Sequence, residues 1–362
     1  MRSKCSSSTI EGSEKVLSGM AELTAWAKVS NWNADKETDL SPRVRVVRKS
    51  IEDIVSSEEL KRWFGPHEIH DLEGLRYWVR HEFSGTTDSG TVHEDPEAIG
   101  VVDRALLAAQ LLKPIGTMNV RFVVAELAGQ PCIRTVFRGA RMTEPIWARV
   151  SEVNEPALQK LPKLFERLRM AESQALIRVV NPLRLLGHGL QASEVHIRIL
   201  LCTAGLDVLL MAGGGAKFSR NLCNLLGADA FVFPPGKLLT TQPKYRVGSI
   251  AGDLYELRNK VAHGLEIPRK FREETGFLAE DDTFALEPIP GYGRHLYRDV
   301  LGECAVFLLC KALKRVLLSD ALFEEINSTT EWKKCLARPI EEEGSTALEG
   351  NPVSDVSGQQ FP

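Results

Sequence analysis

The stretch Asp253-Leu254-Tyr255-Glu256-Leu257-Arg258-Asn259-Lys260-Val261-Ala262-His263-Gly264 gathers the side chains best suited to chemistry: an arginine, an asparagine and a histidine near a helix end. Histidine titrates near neutral pH and can take or give a proton. Arginine holds a fixed charge in a planar fork that matches a phosphate. Together they suit proton transfer beside a phosphate under charge build-up. Seated at the last turn, His263 faces unpaired helix carbonyls that favour its protonated form.

Ile250, Leu254, Leu257 and Val261 recur at helical spacing and must be buried as one stripe. Glu256 and Lys260 are placed to pair on the wet side. Gly264 and Pro268 mark the helix stop. On a regular helix Asn259 and His263 share a face with Tyr255 beside them, while Arg258 lies roughly 140° round from His263. A single regular helix cannot aim both at one small target. Either the last turn unwinds, or the site is wide, or a second copy of the helix completes it.

Supporting candidates lie upstream. Asp207 is flanked by Leu206, Val208, Leu209 and Leu210, and a carboxylate in such company is costly to bury unless it is paired. Arg258 or Arg220 is the expected partner, and the pairing serves a fold as well as it serves a site. Glu194 and Arg198 read as an exposed pair on the same helix. For Arg258 and His263 the alternative is equally plain: a histidine at the helix end beside a solvated arginine.

Other constellations fail their spacing tests. Gly213-Gly214-Gly215-Ala216-Lys217-Phe218-Ser219 lacks the phosphate-loop spacing and has no strand before it, so it reads as a loop joining helices. In His67-Glu68-Ile69-His70 the second histidine comes one residue too early for the metalloprotease pattern, and a surface turn is expected. Cys304 and Cys310 sit in an apolar helix as small hydrophobes.

Arg258-Asn259 followed by His263 is similar to the Arg-x(4–6)-His signature of HEPN domains (higher eukaryotes and prokaryotes nucleotide-binding). The wider order resembles the Apea-like branch over roughly residues 171–318: Glu194 to Leu201, Gly205 to Leu210, Phe218 to Leu222, then the motif. Asp207 departs from the glutamate usual in that branch. The resemblance implies a helical bundle that dimerises so that two Arg-x(4)-His motifs face each other. It also implies metal-independent RNA cleavage by Arg258 and His263, leaving a 2′,3′-cyclic phosphate and a 5′-hydroxyl, in a defence or toxin-like role. Asn259, Asp207, Tyr255 and Arg220 would support the pair. The competing expectation is an inactive HEPN-like dimer serving as an interaction or RNA-binding module, since a fold does not dictate an activity.

At 362 residues with 43% hydrophobic content, the chain can build about two ordinary globular domains. A formal charge of −3 supplies no global basic footprint, so RNA binding would need a local patch. Seven cysteines without Cys-x-x-Cys pairs argue for a reducing cytoplasm and against a disulfide framework or zinc ribbon. No secretory signal or membrane span is expected, because Asp207 interrupts the apolar run from Ile199 to Ala212. Neither metal nor cofactor is expected.

The expected fold class is α+β. Residues 1–40 read as a flexible leading segment in which Trp26 and Trp32 are the large anchors. Residues 41–152 read as a mixed α/β domain: a helix over 50–64, strands over 75–83 and 131–137, and a helix over 97–112. Residues 153–326 read as an all-α bundle with helices near 151–180, 193–211, 219–226, 246–263 and 295–318, joined by short Gly- and Pro-containing connections. Residues 327–362, with Glu341-Glu342-Glu343 and then polar residues, read as a disordered acidic tail.

Overall fold

Alternating side chains commit the first third of the chain to an antiparallel sheet whose two faces are both covered. The computed structural model describes residues 20–29, 37–74, 76–86, 94–114, 117–127, 129–138, 158–233, 245–275 and 295–339. Strands β1 (Met20–Val29), β2 (Thr38–Ser41) and β3 (Val44–Lys49) precede two short helices, α1 (Ser57–Trp63) and α2 (Pro66–Leu72). Strand β4 (Arg76–Thr86), helix α3 (Glu94–Leu112), and strands β5 (Thr117–Leu127) and β6 (Gln130–Arg138) follow. The order across the sheet is β2-β3-β4-β1-β5-β6. Strand β1 lies inside, with Trp26 opposite Arg80 of β4 and Phe122 of β5.

Period-two alternation sorts the strands' residues between the faces. Trp26, Trp78 and Phe122 pack under Phe64 of α1's end, with ring centroids 6.5 Å apart for Trp26–Trp78 and 6.0 Å for Trp78–Phe122, both edge-on. On the opposite face Leu23, Ala25, Val79 and Val123 meet Val102, Ala105 and Ala109 of α3.

Residues 20–29 were expected in a flexible segment, yet they form this interior strand. Ala25 and Ala27 hide the pattern, because small residues facing a close-packed helix carry little hydropathic contrast. Trp32, the other expected anchor, lies outside the described residues. So does the expected boundary near 153.

The second half is helical: α4 (Leu161–Ser173), α5 (Ile177–Gln191), α6 (Val195–Leu210), α7 (Gly215–Leu226), α8 (Val247–Ala262) and α9 (Tyr297–Leu318), closed by α10 (Asp320–Glu325) and α11 (Thr329–Leu336). The single helix expected near 151–180 is two, broken where Ala175 takes φ of +50°. Helix α9 is buried continuously from Val300 to Cys310 and packs against α5, α6, α7 and α8. The apolar core runs unbroken from the inner sheet face through α3 and α4 into this bundle.

Residues 329–336, expected to belong to a disordered tail, form helix α11. Trp332 is fully buried and donates its indole N–H to the Leu209 carbonyl at 2.7 Å, while Asn224 Nδ2 donates to the Leu336 carbonyl at 2.9 Å. Trp332, Cys335 and Leu336 form the buried side of this short helix, whose remaining residues are polar. Glu341-Glu342-Glu343 lie outside the described residues.

Candidate functional site

The motif helix α8 turns Val247, Ile250, Ala251, Leu254 and Leu257 into the core, and Val261 is half-buried against it. The expected stripe is therefore buried over three of its four positions and emerges at the fourth. The helix closes with paired backbone bonds: Gly264 N–H to the Val261 carbonyl at 3.2 Å and Leu265 N–H to the Lys260 carbonyl at 2.9 Å. This double closure requires Gly264 at φ of +60°, a conformation that suits glycine. His263 is the residue just before it, with an exposed side chain and its own N–H given to the Asn259 carbonyl at 3.1 Å.

Arg258 is held from three sides. Its Nη1 donates to Asn259 Oδ1 at 2.9 Å, its Nη2 lies 3.6 Å from Asp207 Oδ2, and its guanidinium carbon sits 5.5 Å from the Tyr255 ring centre. The 3.6 Å separation is an ion pair rather than a good hydrogen bond. Asp207 and Arg258 keep 20% and 23% of their side chains exposed, so the pair is partly screened.

Each holder is itself fixed. Asp207 Oδ1 accepts the Gly213 N–H at 3.1 Å across the end of α6, where Met211 turns left-handed at φ of +48°. Tyr255 rests on Phe218 with ring centroids 5.1 Å apart. Gly215 allows this approach, since a Cβ there would stand 3.0 Å from the Tyr255 ring. The Gly213-Gly214-Gly215 loop joins α6 to α7, as its composition predicts, and supplies both an N–H for Asp207 and room for Tyr255.

The structure thus brings Asp207, Tyr255, Arg258 and Asn259 together, with Arg258 as the partner of Asp207. Arg220 is exposed on α7, and among the described residues no ion pair links it to Asp207. His263 stands apart from this cluster: among the described residues no hydrogen bond or ion pair joins it to Arg258.

Two expected pairs are re-partnered. Glu256 meets Lys270 at 2.9 Å instead of Lys260, and Lys270 also meets Asp253 at 2.7 Å. Tyr297 donates its hydroxyl to Asp253 at 2.9 Å, and burial with that bond pushes its phenol well above the usual range. Arg198 is buried rather than exposed; it pairs with Glu303 of α9 at 3.0 Å and donates to the Ala192 carbonyl at 3.1 Å. The usable signal was Glu303 itself, a carboxylate within Leu301-Gly302-Glu303-Cys304 that must find a cation.

Helix α6 carries one outward stripe that is apolar. Ile197 is 43% exposed and Val208 37%, and half-buried Leu201 and Ala204 lie between them. An eleven-residue separation returns to within roughly 20° of the same face.

The His67-Glu68-Ile69-His70 stretch forms helix α2 rather than a simple turn. Glu68 accepts the Gly65 N–H at 3.1 Å and meets Arg138 at 3.0 Å, whose hydrogen bond holds its carboxyl below the usual range. Among the described residues no three His, Cys, Asp or Glu side chains cluster as metal ligands. The described cysteines are free thiols, and burial pushes those of Cys202, Cys304 and Cys310 upward. Among the described residues no single helix is long and apolar enough to cross a membrane. The chain matches no protein-family model, no curated protein and no solved structure.

Proposed function

We propose that this chain is a metal-independent endoribonuclease of the HEPN type, working as a homodimer in the cytoplasm. The observation that carries the reading is Arg258, held by Asp207, Asn259 and Tyr255, five residues before an exposed His263 at a helix end. A phosphate needs a preset cation, and a proton acceptor needs access to solvent and substrate. In this reaction His263 takes the ribose 2′-hydroxyl proton, the 2′-oxygen attacks phosphorus, and the P–O5′ bond breaks. Arg258 balances the charge on the phosphoryl oxygens, and the departing 5′-oxygen takes up a proton. The partner's copy of the motif completes the site, in keeping with the angular separation of the two side chains on one helix.

A second reading is a non-catalytic dimeric interaction module. Asp207 and Asn259 already occupy part of the Arg258 fork, and the apolar stripe of α6 alone provides a docking face.

Incubating purified protein with single-stranded RNA separates the two. Wild-type protein should cleave in the presence of EDTA and leave cyclic-phosphate ends. His263→Ala and Arg258→Ala should each lose about 10²–10⁴-fold of the rate while staying folded. Cleavage that requires magnesium, or that survives both substitutions, would assign the activity elsewhere and favour the module.

A further inference from the structure

A cleft of about 470 Å³ opens between α3, the β5–β6 edge of the sheet and helices α4 and α5, and it shares no residue with the Arg258 cluster. Its size falls within the range of small-molecule sites. Two glycines, Gly100 in α3 and Gly187 in α5, stand in its walls, and nothing lies within 4 Å of where a Cβ would be at either. Glycine inside a helix weakens it relative to alanine. Both positions line the cleft and have open space where a side chain would begin. Leu106, Leu183 and Phe137 supply an apolar surface around this space.

The charges are arranged unequally. Arg104 and Arg121 line the cleft with side chains only 18% and 8% exposed, while their partners Glu172 and Asp103 are 43% and 47% exposed. Arg104 gives Nε to Glu172 at 2.8 Å, and Arg121 gives its Nε to Asp103. The guanidiniums are built into the wall, and the carboxylates, which line the same cleft, are the more exposed member of each pair, although burial raises the Asp103 carboxyl above its usual value. An arriving anion can take the place of a carboxylate on a cation that stays in place, whereas an arriving cation would have to displace a built-in guanidinium.

We infer that this cleft is a binding site for a small organic anion bearing an apolar ring, with Arg104 and Arg121 taking the anionic group and Phe137, Leu106 and Leu183 the ring. The bidentate geometry of guanidinium suits a phosphate or carboxylate equally. The ring occupies the space left by Gly100 and Gly187.

Calorimetric titration of the full-length protein with phenyl phosphate, benzoate, benzyl alcohol and benzylamine tests the assignment. Phenyl phosphate or benzoate should bind saturably and raise Tm, whereas the neutral and cationic isosteres should bind at least tenfold more weakly; the stronger of the two anions names the group. Arg104→Gln should weaken that anion at least tenfold. Gly187→Leu should abolish binding while circular dichroism shows the native fold, and Gly100→Leu serves the same purpose from the facing wall. Binding of benzylamine as tight as either anion, or undiminished binding in a folded Gly187→Leu or Gly100→Leu variant, would overturn it.

Discussion

The Asp207 carboxylate lies 3.6 Å from the Arg258 guanidinium while its other oxygen closes the end of its own helix on the Gly213 N–H. One side chain thereby ties a helix terminus to the motif helix. Asp207→Ala should destabilise the fold by about 1–3 kcal/mol, because it removes an acceptor of a backbone bond and a charge partner together. Asp207→Asn keeps an acceptor for Gly213 and should cost less than about 1 kcal/mol, yet it frees Arg258 to move. Urea unfolding midpoints and RNA cleavage rates measured side by side will show whether rate falls further than stability. Equal stability in wild type and Asp207→Ala would mean that the tie does no work.

The α6 stripe gives a separate expectation about assembly. Glutamate at Ile197 or Val208 should turn a homodimer into a monomer in light scattering at micromolar concentration, because a charge on an enclosed apolar face is costly. The monomer's thermal unfolding should otherwise resemble that of the wild-type protomer, since both positions already face outward. A wild-type protein that is monomeric at these concentrations removes the composite site along with the dimer.

Two core positions should behave alike despite their different settings. Leu257 is fully buried in the motif helix and Trp332 in the closing helix α11. Leu257→Ala should cost about 2–5 kcal/mol and Trp332→Ala about 3–5 kcal/mol. Truncation after Ile326 should destabilise as Trp332→Ala does. A truncation there that leaves the unfolding midpoint unchanged would refute the docking of α11.

Stability should also fall on mild acidification through His81. Burial first, and then the neighbouring Arg43 and Arg104 charges, hold its imidazole below the usual value, against a raising contribution from its contact with the Ala98 carbonyl and from Glu82. The unfolded chain therefore binds the proton more readily than the folded one. This contribution is intact above the ordinary histidine value near 6.5 and is lost progressively as pH falls below it. Thermal melts across pH 7 to 5, set by that shift, should show a steeper decline for wild type than for His81→Gln. Parallel declines would assign the acid sensitivity to other groups.

The sequence alone determined most of the long helices of the second half, the motif helix and its stop at Gly264, and two strands, expected over 75–83 and 131–137 and found over 76–86 and 130–138. These elements carry strong local signals: apolar residues at helical spacing, glycine where φ must be positive, and alternation along a strand. It also determined that Asp207 needs a cation, because burial in apolar company makes that demand wherever the partner lies.

Only the tertiary structure decided that the cation is Arg258 rather than Arg220, since the choice depends on how the ends of α6 and α8 meet across some fifty residues of chain. The same holds for Arg198 reaching Glu303, Lys270 displacing Lys260 as the partner of Glu256, and the alanine-rich residues 20–29 entering the middle of the sheet. In each case local spacing offered a permissible partner or a permissible disorder. Long-range packing supplied the competing arrangement, buried for Arg198–Glu303 and for the strand and exposed for Lys270–Glu256.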